Sequence, residues 1–296
     1  MTISSNSHFN LDNNKAYQVW RQHKLNHMAM SLADLIVEIN DPMQLTKAEH
    51  QAILHRCINN NMAIYVCNKT QEKRQIPLAI GRQFGLHTLD HNWLGDEDGL
   101  TSLTQVKQGQ HKHYIPYSNR AIQWHTDGYY NSAEKQIYGL ILYCDSPASE
   151  GGENQLMDHE LAYIQLRDKN PDYIKALMEN NAMTIPARMN ENEVQRPTET
   201  GPVFSVSKNN HLHMRYSKRK HNIIWDNNDL LSAAKNYLEA LLDQSADNSF
   251  QGKLEAGMGL ISNNVLHDRA SFQDNDQQKR LLYRARYYDR IEERTL

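Results

Sequence analysis

Hydrophobic and polar positions along this chain repeat with two periods, and each period predicts a different element. Met62-Ala-Ile-Tyr-Val-Cys67 is an unbroken apolar run of strand length, preceded by Asn59-Asn60-Asn61; it predicts a buried strand. Ile137 to Cys144, Val203 to Val206 and His211 to Tyr216 are further strand-like segments. Helical spacing governs other stretches. From Asp229 to about Asp243, Leu230, Ala234, Tyr237, Leu238, Leu241 and Leu242 fall on one stripe, as an amphipathic helix requires. Ala16 to about Leu25 predicts a short helix. Thr46-Lys-Ala-Glu49 is a capping box. The helix it starts runs through Ala52, Ile53, His55 and Cys57 until the three asparagines end it. Asn170-Pro171-Asp172 starts another, with Asn as N-cap and Pro at the first helical position.

The remaining stretches lack either period. Residues 1–14 are polar and are expected to fray. Residues 81–120 are rich in Gly, His, Asp and Asn, which suggests a long functional loop region. Residues 186–201 are polar and non-periodic, as expected of a mobile lid. There are no internal repeats and no low-complexity linker, so the 296 residues are expected to form a single domain, 1–296. Pattern alone gives a mixture of α and β.

Composition narrows the function classes. A net charge of −3, with no long run of one sign, argues against nucleic acid or an anionic membrane as the main partner. The mean hydropathy of −0.76 is polar, but a hydrophobic content of 39% suffices for a sizeable core. No apolar run has the length of a membrane helix, and the first residues lack a basic and an apolar region of the signal-peptide kind. Cys57, Cys67 and Cys144 are odd in number and form no Cys-x-x-Cys, so they are expected to be small buried hydrophobes in a cytoplasmic protein.

The chemistry is concentrated in Ile122-Gln-Trp-His125-Thr-Asp127-Gly128. In a strand, residues i and i+2 point to one face, so His125 and Asp127 can grip one metal while Trp124 points away. His-x-Asp is two-thirds of the 2-His-1-carboxylate facial triad of non-haem Fe(II) sites. Alone it is a weak signal in a chain with 15 His. It gains weight from His267, in Gly257-Met-Gly-Leu-Ile-Ser-Asn-Asn-Val-Leu-His267-Asp-Arg-Ala-Ser-Phe, and from Arg280, 13 positions later. Beyond it, Arg280, Leu282, Arg284, Arg286 and Tyr288 would share one face of a strand, with Leu281, Tyr283, Ala285 and Tyr287 on the packing face. Other histidines carry less. His111-x-His113 and His211-x-His213 lack a matching carboxylate, and His23-x-x-x-His27 lacks the Glu of a zincin motif. His87, His91 and Trp93 lie in the polar stretch 81–120.

The order His-x-Asp, long gap, His, Arg resembles the Fe(II)/2-oxoglutarate-dependent dioxygenases of the TauD/TfdA (taurine dioxygenase-like, clavaminate-synthase-like) family. The resemblance covers roughly residues 62–290. Glu150-Gly-Gly-Glu-Asn154 adds to it, because the family carries Gly-Gly-Asp/Glu-Thr there. The resemblance implies a mixed α/β protein dominated by β, with a double-stranded β-helix (jelly-roll, cupin-like) core and flanking helices. It implies His125, Asp127 and His267 as ligands of Fe(II), with 2-oxoglutarate as co-substrate and O2 as oxidant. Arg280 would pair with the distal carboxylate of 2-oxoglutarate, Arg284 would reach 2-oxoglutarate or an acidic substrate group, and Asn154 would take the place of the family's Thr. The family often places the anchoring Arg nearer the distal His, where this chain has Gln278, so the choice between Arg280 and Arg284 stays open at this point. Related halogenases have a small residue in place of the carboxylate; Asp127 therefore implies an oxygenase.

The expected activity is hydroxylation or desaturation of a small polar, anionic metabolite, with release of succinate and CO2. Family members are often oligomers, which allows a homo-oligomer here. Three alternatives compete: the same iron site acting on a protein- or carrier-bound amino acid, a non-catalytic jelly-roll binding protein, and a zinc hydrolase. The intact triad and its trailing Arg count against the last two.

Overall fold

The computed structural model describes residues 3–68, 71–91, 96, 98–106, 114–190, 193–219, 221–244 and 249–293. Trp93, His111 and His113 lie outside the described residues. The described chain is a mixed α/β structure that divides into two compact units.

One unit comprises residues 29–123, 137–156 and 250–296. Its larger sheet has six strands, in the order β1 (Ile36–Glu38), β2 (Met62–Val66), β16 (Met258–Ser262), β5 (Gly139–Ser146), β19 (Leu281–Tyr287) and β3 (Thr101–Leu103). The apolar run at 62–67 is explained by its interior place in this sheet, with a strand paired on each side. Ala63, Tyr65 and Cys67 enter one apolar layer, while Met62 and Ile64 enter the layer on the opposite face. The first layer is closed by helices α2 (Lys47–Asn60) and α3 (Ile76–Gln83), which contribute Ile53, Cys57, Ile76 and Ile80. The capping box is formed as expected: Glu49 N–H donates to Thr46 Oγ1, and the Glu49 carboxylate accepts from Thr46 N–H at 2.7 Å. Asn61 then ends the helix in the left-handed region, with φ 56°. Gly259 is required where it stands. It faces Tyr65 across the ladder, and a Cβ would lie 2.1 Å from the Tyr65 ring.

A second sheet runs β15 (Phe250–Gly252), β7 (Asn154–Met157), β17 (Leu266–Arg269), β4 (Ile122–His125). Beside it, β6 (Glu150–Gly151) pairs with β18 (Phe272–Gln273). The segments carrying His125, Asn154 and His267 are thus neighbours in one sheet. All three cysteines are buried and unlinked.

The other unit comprises residues 1–28, 124–136 and 157–249. It is built on helices α1 (Asn14–His27), α4 (His159–Lys169), α5 (Pro171–Leu177) and α6 (Asp229–Asp243), with short strands. α5 starts as predicted, with the Asn170 side chain accepting from Asp172 N–H. α6 has the predicted bounds, but its buried stripe is Leu231, Ala234, Leu238 and Leu242, while Leu230 is 36% exposed.

Phe9 is 1% exposed and packs edge-on against Tyr163 and Trp20, at 5.4 and 5.1 Å between ring centroids. Within 186–201 the described residues form short strands. β9 (Arg188–Asn190) and β10 (Glu193–Arg196) form a hairpin, and β11 (Glu199–Gly201) joins β8 (Met183–Ile185) and β14 (Ile224–Trp225). β12 (Phe204–Val206) and β13 (Leu212–Met214) pair as the two strand-like segments predicted.

Candidate active site

β4 ends at His125, and the chain beyond it continues an antiparallel ladder. His125 bridges Ser217, Thr126 N–H donates to Tyr216 O, and Lys218 N–H donates to Trp124 O. This holds the His-x-Asp segment extended. Trp124 is buried at 5% exposure, on the face away from His125, as period two requires. Gly128 turns the chain at φ 69°, immediately after Asp127. Arg215 locks that turn. Its guanidinium donates to the carbonyls of Tyr129, Met183, Gly201 and Glu199, so its nitrogens are engaged with backbone. Burial lowers its pKa to about 10.

Potential ligand atoms of His125, Asp127 and His267 lie within 4.8 Å of one another. His125 Nε2 is 3.6 Å from Asp127 Oδ1. His267 Nδ1 lies 2.9 Å from the carbonyl of Val265. A carbonyl only accepts, so Nδ1 carries the proton and Nε2 carries the lone pair a metal needs. Hydrogen bonding of this kind fixes both tautomer and ring orientation at metal sites. Two neutral imidazoles and one carboxylate fit Fe(II) and leave coordination positions open.

Arg280 is 5% exposed. Its backbone N–H donates to Asp274 Oδ1, and its Nη1 is buried without a hydrogen-bond partner. Burial lowers its pKa to about 10, so the guanidinium stays charged at neutral pH. It lines a small cavity with Asn154, Gly152, Pro147, Ala148 and Lys253. Gln278, at the position where the family often has its Arg, is taken up elsewhere: its side-chain amide donates to the carbonyls of Pro147 and Ala148.

The Asn154 side-chain amide donates to Asp268 O at 2.7 Å, next to His267, and so ties β7 to the ligand strand. Arg286 is ion-paired with Asp90. Arg284 is half-buried on β19, opposite Thr101 and Leu142. His87 and His91 are exposed. The packing face predicted for this strand is realised by Tyr283, Ala285 and Tyr287 in the main core.

Arg269 is 4% exposed, and one of its terminal nitrogens donates to the carbonyls of Ser118 and Arg120, just before β4. Burial, with the nearby Arg280 adding to it, lowers its pKa to about 9. Its signal was present: it is two positions after His267 and therefore on the same face.

Residues 28–286 match the family described as taurine catabolism dioxygenase TauD, TfdA family. A uridine-5'-phosphate dioxygenase from a Streptomyces species is 30% identical over 200 residues, 64% of this chain and 69% of that protein. One from an Amycolatopsis species is 30% identical over 170 residues, 55% of this chain, and the match spans only 60% of that protein's length. Among solved structures, the non-haem iron oxygenase OrfP in complex with Fe and alpha-ketoglutaric acid has the same fold, with a TM-score of 0.60 at 16% identity over 83% of this chain and 81% of that one. The chain belongs to the TauD/TfdA dioxygenase family.

Proposed function

We propose that this protein is a Fe(II)- and 2-oxoglutarate-dependent oxygenase of a small, anionic metabolite, built on a double-stranded β-helix core whose halves are the six-stranded and four-stranded sheets. The observation that carries this reading is the convergence of His125, Asp127 and His267 within 4.8 Å, with His267 Nδ1 held by Val265 O. Iron bound there supplies activation of O2, coupled to decarboxylation of 2-oxoglutarate to succinate and CO2. The chain supplies placement. His125 and His267 present neutral nitrogens, Asp127 supplies the anionic ligand, and Arg280 grips the distal carboxylate of the co-substrate through its spare N–H. Gln278 being engaged with backbone carbonyls supports Arg280 as that anchor.

For the primary substrate we propose a nucleoside 5'-monophosphate or a close phosphorylated relative. The named relatives act on uridine 5'-phosphate. The chain just past Asp127 has fitting chemistry. Tyr129 and Tyr130 form an aromatic pair with centroids 5.2 Å apart; Arg219 donates to Tyr129 Oη, and Arg196 lies 6.0 Å from the Tyr130 ring. Aromatic faces suit a base and guanidinium groups suit a phosphate. Succinate release from 2-oxoglutarate should be stimulated strongly by uridine 5'-phosphate and weakly by uridine. Equal stimulation by the two would remove the phosphate from the account, and stimulation by neither would remove the nucleotide.

A further inference from the structure

Arg269 and Arg280 share one phenyl ring. Their guanidinium carbons lie 4.9 and 5.1 Å from the centroid of Phe272. Both side chains are almost wholly buried, at 4% and 5% exposure. Among the described residues neither forms an ion pair with a carboxylate. Each keeps a buried N–H without an acceptor: Nε of Arg269 and Nη1 of Arg280. Two adjacent buried cations repel each other and lack the compensation that burial of charge requires. An anion held by both would supply it.

The strand geometry indicates which anion. His267 and Arg269 project from the same face of β17, one same-face step apart, about 7 Å along the strand. A five-carbon dicarboxylate that chelates a metal at His267 spans about that step, so its far end falls at Arg269. We propose that Arg269 is a second cation for the distal carboxylate of 2-oxoglutarate, paired with Arg280 across Phe272. This rests on the co-substrate reading given above. The same guanidinium donates to Ser118 O at 2.8 Å and to Arg120 O, on the segment that enters β4 and leads to His125. Arg269 therefore links co-substrate binding to the seating of the strand that carries the first metal ligand.

The test separates a contact to the distal carboxylate from mere support of the strands. Oxalate and N-oxalylglycine share the chelating head, but only N-oxalylglycine has the distal carboxylate. Their binding to the anaerobic Fe(II)-loaded protein is measured by calorimetry. Arg269→Gln should weaken N-oxalylglycine about tenfold while oxalate changes by less than about twofold, the loss of one charge-assisted contact. Arg269→Lys keeps the charge but not the fork, and should lower the N-oxalylglycine preference by about threefold; it decides the matter if the Gln variant does not fold. An equal loss for both ligands, or no loss for either, overturns the proposal. Arg280→Gln is the control for the underlying reading: if it leaves the preference for N-oxalylglycine unchanged, the co-substrate site itself is elsewhere.

Discussion

Arg286 is ion-paired with Asp90 inside the protein, although 196 positions separate them in the chain. Tyr288 Oη donates to the same carboxylate at 2.7 Å, and Asp90 N–H donates to Arg286 O at 2.8 Å. The last strand is thereby fastened to the segment after α3, and one of its two arginines is neutralised within the fold. Asp90→Asn keeps the shape but takes the carboxylate's charge away from the buried Arg286 guanidinium. The expected loss is about 3–5 kcal/mol of unfolding free energy, measured by denaturant titration. A loss below about 1 kcal/mol would mean that the pair is as weak as an exposed one.

Asn154 is expected to matter for stability more than for co-substrate affinity. Asn154→Ala removes the bond to Asp268 O and should cost about 1 kcal/mol. The KM for 2-oxoglutarate should move by less than about threefold, because the cost is shared by free and bound protein. A large rise in KM without loss of stability would return Asn154 to the role the family's Thr suggests.

Arg280→Met should raise the KM for 2-oxoglutarate by about a hundredfold while leaving metal affinity in place, since a buried forked contact to a carboxylate is worth about 3 kcal/mol. Steady-state kinetics paired with a metal-binding titration checks both halves. Loss of metal binding in the same variant would show that Arg280 supports the triad instead.

His8 gives the N-terminal segment a pH dependence. Burial pulls its pKa down from 6.5 to about 4, with Arg167 and His211 adding and Glu160 opposing, and its ring stacks on Trp20 at 4.8 Å. The unfolded chain therefore binds a proton more readily than the folded one. His8's stabilising contribution is complete above about pH 6.5 and is lost progressively as pH falls toward 4. The melting temperature should fall between pH 7 and pH 5, and His8→Gln should flatten that slope. An unchanged slope in the variant would assign the acid sensitivity to other groups.

The sequence carried much of this, for physical reasons that vary by residue. Metal chemistry demands particular side chains at particular spacings, so His125, Asp127 and His267 could be singled out as candidates without a fold, and the structure brings them together. β2 and α6 were legible because burial imposes a period. Phe9 was not, because a lone aromatic among polar residues has none. The β9–β10 hairpin was missed because a strand with two wet faces shows no alternation. The Asp90 partner of Arg286 was invisible because pairing across such a distance depends on strand order in the sheet. Arg269 lay in plain view two positions after His267, and only the shared Phe272 ring gives it a role.

The most direct test is an anaerobic titration of the metal-free protein with Fe(II) and 2-oxoglutarate, following the weak visible charge-transfer band of a chelated complex. The band should appear only when both are present, and should be absent in His267→Ala with the fold intact. A folded wild-type protein that gives no band would contradict the oxygenase assignment.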